Sequence, residues 1–447
     1  MNGQQRFVPV TRRHKSGVLL AVLFAATVAF SSSAAADGWA QFRGPNGQGH
    51  ADHPTNLPLT FGENENLAWK TPIPGKGWSS PVVHAGRVWM TTASDDGHSL
   101  RAVCVDLKTG RLLHDAEVFT PDEPVPLNVK NSYASPTPVV EQGRVYVHFG
   151  AMGTACLDAS SGEVIWRNND LVIHHKEGPG SSPVLFDRLL LINCDGTDEQ
   201  YVAALDKQTG EVKWRTDRSA PLRDRPDFRK AYSTPIVISQ GDARQLVSTG
   251  ADQLNAYDPF TGRELWRIRY RGFSNVPLPL FDSTKQRLYV CTGFTKPELW
   301  AMRTDGVNDV TETHVLWTYK KQVSTNASPL VVGDRLFMAS DRGVATCLDT
   351  NDGSEIWQDR LGGNYSASPV TATGRLYFLS EQGNVTVVAA TDEFEKLAVN
   401  KLDGRLMASP AIVEDSLLIR SDEHLYRFMD SAASGAGVGS ASDADSR

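Results

Sequence analysis

The chain has 447 residues, 40% hydrophobic and 22% charged, with 37 glycines and 24 prolines. That composition supports a large buried core and excludes wholesale disorder, a collagen-like chain and a multi-span membrane protein. A formal net charge of -7, from 45 basic and 52 acidic side chains, leaves the whole molecule without an electrostatic footprint for nucleic acid, and five cysteines are too few for a disulfide scaffold.

The N-terminus reads as an address. Arg6, Arg12, Arg13 and Lys15 precede an apolar run from Gly17 to Phe30, and Ala34-Ala35-Ala36 supplies the small residues of a cleavage site. The run falls short of the ~20 residues that a spanning helix needs, so residues 1–36 are expected to be a cleaved export signal. No cysteine stands near the cleavage point, so a lipoprotein is not expected. Removing these four basic residues takes the net charge from -7 to -11. The expected product is soluble and monomeric, in the periplasm or outside the cell, and does not span a membrane.

From residue 37 onward the chain repeats. Segments such as "LDASSGEVIW" from Leu157 and "LDKQTGEVKW" from Leu205 set Asp and Trp eight apart: Asp158 to Trp166, Asp206 to Trp214, Asp258 to Trp266, and Asp349 to Trp357. Each reads as a hairpin whose turn closes on a glycine that takes positive φ without steric cost. The Trp residues are expected to pack between units and be largely buried, with Leu113 and Leu397 standing where Trp is missing. A second signal, a small residue before proline, recurs at Ser80, Ser135, Ser182, Thr234, Val276, Ser328, Ser368 and Ser409. From Pro81 to Pro410 seven steps span 329 residues, about 47 each. With alternating segments such as "GRVYV" from Gly143 between the two signals, each unit has four short strands. The expected fold is all-β, one domain over residues 37–430: an eight-bladed β-propeller of four-stranded antiparallel blades. Trp69, in "NLAWKT" ahead of the first unit, should lie in the outer strand of the last blade and close the ring. The Gly- and Ser-rich residues 431–447 are expected to be a disordered tail.

The repeats, together with "GWAQFRGPNGQG" from Gly38, resemble the PQQ-like eight-bladed propeller family. That family includes quinoprotein alcohol dehydrogenases and the propeller lipoprotein of the outer-membrane barrel assembly machinery. The dehydrogenase branch implies pyrroloquinoline quinone with calcium over the central channel and often a disulfide between adjacent cysteines. Here Cys104, Cys156, Cys194, Cys291 and Cys347 are nowhere adjacent, and three of them precede a repeat Asp by two residues, as buried small hydrophobes would. His174-His175 and the acidic stretches from Ser94 and Cys194 match no metal-binding spacing.

The segments entering each innermost strand all carry a basic residue: Lys76, Lys130, Lys176, Arg229 with Lys230, Arg271, Lys320 with Lys321, Arg360 and Arg405. Aromatic or amide side chains stand beside them, among them Trp78, Asn131, Tyr133, Tyr232, Asn364 and Tyr365. On an acidic protein such a rim would focus an anionic ligand at the channel mouth. The sequence thus points to an exported, non-catalytic binding or scaffold propeller whose partner is a protein, a glycan or a small anion, with no catalytic residue, metal or cofactor. The alternative is a quinoprotein dehydrogenase using PQQ and calcium.

Overall fold

The computed structural model describes residues 1–4, 7–8, 38–51 and 56–430. The expected cleavage site and the tail from Ser431 lie outside the described residues. Eight sheets carry the remainder. Their first strands are Val82–His84, Val139–Glu141, Val184–Phe186, Ile236–Gln240, Leu280–Asp282, Leu330–Val332, Val370–Ala372 and Ala411–Val413, and the blades are numbered from these. Each blade is an antiparallel meander, and the eighth takes its fourth strand from Leu67–Pro72, which pairs with His424–Met429. No helix among the described residues is long and apolar enough to cross a membrane.

Strand position dictates composition. Second strands such as Leu189–Asp195 are buried throughout because neighbouring blades cover both faces, so they read as continuous apolar runs. Fourth strands such as Val212–Asp217 lie outermost and are largely exposed. Most core clusters join residues of adjacent blades, as where Leu330 and Phe337 of the sixth blade pack with Leu376 and Phe378 of the seventh.

The repeat turn is a capped structure. In Asp158, Oδ1 accepts the N–H groups of Ser160 and Ser161, and Asp206 and Asp258 hold their own turns in the same way. The glycine that follows takes positive φ, 79° at Gly210 and 72° at Gly262. Its missing side chain is also what the neighbouring blade needs: a Cβ on Gly210 would stand 2.6 Å from the Trp166 ring, and one on Gly262 2.5 Å from Trp214. Each indole lies on the turn of the next blade and donates its N–H to a carbonyl there: Trp69 to Leu107, Trp166 to Lys207, Trp214 to Pro259, Trp317 to Thr350 and Trp357 to Thr391. The Trp is an inter-blade clasp.

Burial of these indoles is uneven, which corrects one expectation. Trp166 and Trp266 are buried, whereas Trp69, Trp214 and Trp357 are half-buried because they close the outer edge. Trp266 differs because the fifth blade has no Asp-capped turn to receive it. An insert there adds a fifth strand to the fourth blade, Asn308–Asp309 pairing parallel with Trp266 and Arg267, and Trp266 donates to Gln245 Oε1 instead. In the first blade the clasp position, opposite Cys104, is His114 rather than Leu113; its ring covers Gly162. In the seventh it is Ala398, opposite Val387, rather than Leu397.

Two outcomes are expected. Trp266→Ala should cost about 3–5 kcal/mol in denaturant unfolding and Trp214→Ala clearly less, in keeping with their burial; equal losses would contradict the clasp assignment. Hydrogen bonds from the Ser160 hydroxyl, then from main-chain N–H groups, hold the Asp158 carboxyl at about 2 against an ordinary 3.8. A depressed carboxyl stabilises the fold above its unfolded value and loses that contribution as pH falls through its folded value. Asp158→Asn should therefore flatten the decline of melting temperature between about pH 4 and pH 2.

Candidate functional site

An innermost strand has no sheet partner on the axial side, so its backbone groups face the channel unless something else satisfies them. Just ahead of the first strands a collar of hydroxyls does so. The N–H of Ser80 donates to Thr137 Oγ1, Thr137 to Ser182 Oγ and Ser182 to Thr234 Oγ1, each at 2.9 Å. On the other side Leu278 donates to Ser328 Oγ at 3.1 Å, and Ser328 to Ser368 and Ser368 to Ser409 at 2.9 Å. The run breaks between Thr234 and Leu278, because Leu278 has no hydroxyl, and again between Ser409 and Ser80. This register corrects two of the eight sequence copies: the second unit is Thr137-Pro138, not Ser135-Pro136, and the fifth is Leu278-Pro279, not Val276-Pro277.

Three residues beyond the collar, the segment that opens "GWAQFRGPNGQG" lies against the inner strands. Val83 and Val140 donate their N–H groups to the carbonyls of Trp39 and Ala40, Thr371 donates to that of Gly49, and the Phe281 N–H donates to Gln48 Oε1. Arg43, fully buried, donates to the carbonyls of Gly47, Gln48, Ser328, Pro329 and Pro369. With only carbonyl partners for its charge, burial lowers its guanidinium to about 9. The segment stoppers one end of the axis. On the other side of the collar lies a cavity of about 430 Å³ whose lining includes the collar hydroxyls, Phe42, Trp78, Lys130, Glu177, Tyr232 and Asp341.

Of the residues expected at the mouth, Trp78, Lys130, Asn131 and Tyr232 line this cavity. The others are placed elsewhere. Lys76 is exposed beside Asp95, Arg271 and Asn364 are exposed, Tyr133 packs on Gly97, and Tyr365 is buried against the sixth blade. The basic residues do not form a uniform free positive rim, because acids meet several of them. Lys130 lies 3.0 Å from Glu381, Lys176 2.5 Å from Asp227 and Lys230 3.5 Å from Glu177. Arg229 donates to the carbonyls of Arg223 and Asp224. In the same loop Arg218 is buried in a bidentate pair with Asp195, and Arg223 pairs with Asp252.

Asn326, an amide of the segment entering the sixth blade, lines the cavity, and so do Glu177, Phe294, Asp341 and Met407, which the pattern of basic residues with neighbouring aromatic or amide side chains did not include. The adjacent histidines diverge: His174 bonds Thr197, while His175 is buried and its Nε2 accepts the Ala151 N–H. All five cysteines are unpaired and buried, and burial raises their thiols, to about 12 at Cys104 and Cys291. Among the described residues no three His, Cys, Asp or Glu side chains gather as a metal site.

A family model described as outer membrane protein assembly factor BamB matches residues 62–170, 105–241 and 198–436. A curated relative carrying that name, from Shewanella oneidensis, is 22% identical over 320 residues, 68% of this chain and 75% of the relative. The crystal structure of BamB from Moraxella catarrhalis superposes with a TM-score of 0.56 at 14% identity, covering 81% of this chain and 99% of that one. Quinohemoprotein alcohol dehydrogenase from Comamonas testosteroni superposes at 0.63 with 12% identity, covering 89% and 81%. Identities this low show a shared fold.

The stopper is testable. Arg43→Met keeps much of the side-chain stem and removes the donors to five carbonyls. It should cost about 2–4 kcal/mol and speed amide exchange at Val83, Val140 and Thr371, with little change at the outer strands.

Proposed function

Because the chain belongs to the repeat family described as outer membrane protein assembly factor BamB, we propose that it is an exported, non-catalytic propeller that acts at the outer membrane by holding a partner on the cavity-bearing face. The observation that carries this reading is the chemistry of that face. Its charged groups, Lys130, Glu177 and Asp341, are each engaged by neighbouring side chains: Lys130 with Glu381, Glu177 with Tyr232 and Lys230, and Asp341 with Thr325. Groups held in this way shape a surface and leave no poised base or nucleophile. The buried, high-pKa thiols add none.

The dehydrogenase alternative meets a poor donor set. Pyrroloquinoline quinone carries three carboxylates, and among the described residues the only cation in the cavity lining is Lys130, already paired with Glu381. Calcium would need several oxygen ligands converging, whereas among the described residues Glu177 and Asp341 are the only carboxylates of the lining and each is already bonded to a neighbouring segment, Glu177 to Tyr232 and Asp341 to Thr325 and Asn326. The residues present do not fit the cofactor pair.

Depleting the protein from the cells that make it should lower the amount of folded, heat-modifiable β-barrel protein in their outer membranes, and restoring the chain should recover it. Unchanged barrel content, or a quinone absorption band with dye reduction after incubation with PQQ and calcium, would overturn the assignment.

A further inference from the structure

The collar has a property that its structural role does not use. Thr137, Ser182, Thr234, Ser328, Ser368 and Ser409 each accept one main-chain N–H, and none donates its own hydroxyl hydrogen to a protein group among the described residues. All six are more than nine-tenths buried and all line the cavity. With a lone pair of each oxygen fixed by the backbone, six O–H donors remain for whatever occupies the axis. The wall supplies the opposite kind of group: the carboxylates of Glu177 and Asp341 carry lone pairs beyond those that Tyr232 and Thr325 use. Trp78, Tyr232 and Phe294 add flat apolar faces, Phe294 being 37% exposed.

Each simpler class of ligand fails on one of these features. An anion would meet two carboxylates and a lysine already paired with Glu381. A cation accepts no hydrogen bond and would leave the six O–H donors without acceptors, and an apolar ligand would leave donors and acceptors unpaired at a cost. A ligand whose every group both donates and accepts, carried on a ring with an apolar face, satisfies all three. We propose that the axial cavity is a binding site for a short neutral saccharide, entered from the Trp78 and Tyr232 side and closed beneath by residues 39–51. This deepens the reading of the protein as a non-catalytic binding propeller and rests on it. The volume of about 430 Å³ lies at the small end of ligand pockets, and the stopper excludes threading of a polymer.

The test is calorimetric titration of the full chain with maltotriose, cellotriose and chitotriose, with citrate and tetraglutamate as anionic arms. At least one trisaccharide should bind saturably, with an affinity nearly unchanged between low and high salt. Val276→Trp narrows the cavity from a wall position that makes no side-chain hydrogen bond, and it should weaken binding at least tenfold; Phe294→Ala should weaken it about fivefold. Thermal melting checks that each variant is folded, and Met407→Trp, from another part of the wall, replaces Val276→Trp if that variant does not fold. The proposal is overturned if no trisaccharide binds, if only the anions bind and do so with strong salt dependence, or if folded variants bind as the parent does. Because barrel content in depleted cells is read independently, a negative titration beside a positive depletion result would remove the saccharide site and leave the assembly role standing.

Discussion

Eight innermost strands with no neighbour on their axial side present a column of main-chain donors and acceptors to the middle of the molecule, and the interior is organised by how these are satisfied. The two ends of the axis use different chemistry. At the collar a side-chain hydroxyl of one blade takes the N–H of the preceding blade, so the solution is modular and is repeated at six of the eight blades. Farther along, a non-repeating segment supplies carbonyls and one amide side chain, with Arg43 gathering carbonyls that the strands leave over. A propeller channel open at both ends would be a conduit. With one end stoppered by backbone and the other ringed by hydroxyls, it is a cup with a defined floor.

The circumference obeys a parallel rule. Adjacent blades must be fixed in angle, and the fixing element is a flat glycine turn presented to an indole. The Asp cap shapes the turn, positive φ makes glycine the residue that fits it, and the bare Cα is then the surface on which the ring lies. Turn geometry and inter-blade packing are therefore one requirement, which is why Asp, Gly and Trp recur together at fixed spacing. The fifth blade shows the rule by breaking it. Without the capped turn, Trp266 would lie open, and the insert brings Gly306 and the strand Asn308–Asp309 over it. The substitute covers more of the ring than the ordinary turn does, so this indole is the most buried of the set.

The fold was legible because this coupling writes itself into sequence. Blade number, strand count and turn positions all follow from the Asp-to-Trp spacing and the proline signal. The errors have particular causes. In "SPTPVV" and "VPLPL" two prolines stand two apart, and only the inter-blade hydrogen bond reveals that Thr137 and Leu278 hold the collar position. His114 stands eight residues after Asp106, where the repeat spacing itself would have put the clasp; attention to apolar residues moved the assignment to Leu113. The stopper could not be read at all, since its partners are 40 to more than 300 residues away in sequence and are backbone groups of any residue type. Of the basic residues expected at the mouth, Lys130 alone is among the described residues that line the cavity, and a list of basic residues carries no pairing information. Glu177, Asp227 and Glu381, which neutralise Lys230, Lys176 and Lys130, lie on other loops.

That pairing changes what the face can select. A ring of unpaired lysines acts at a distance, through a field that salt screens within about 8–10 Å. A mouth whose lysines are matched to acids has a weaker field of its own, and more of the discrimination passes to short-range hydrogen bonds and contact area. Short-range recognition is only as sharp as the geometry of the groups that make it, and here the geometry belongs to the scaffold. The collar oxygens are placed by main-chain bonds between blades, the blades are set by the Trp clasps, and the axis is blocked by a segment bonded to the first, second, fifth, sixth and seventh blades. A shift of any of the six blades that carry a collar hydroxyl would move that hydroxyl with it, so the interactions that keep the propeller's inner edges satisfied are the same ones that would hold a ligand's hydrogen-bond partners in register.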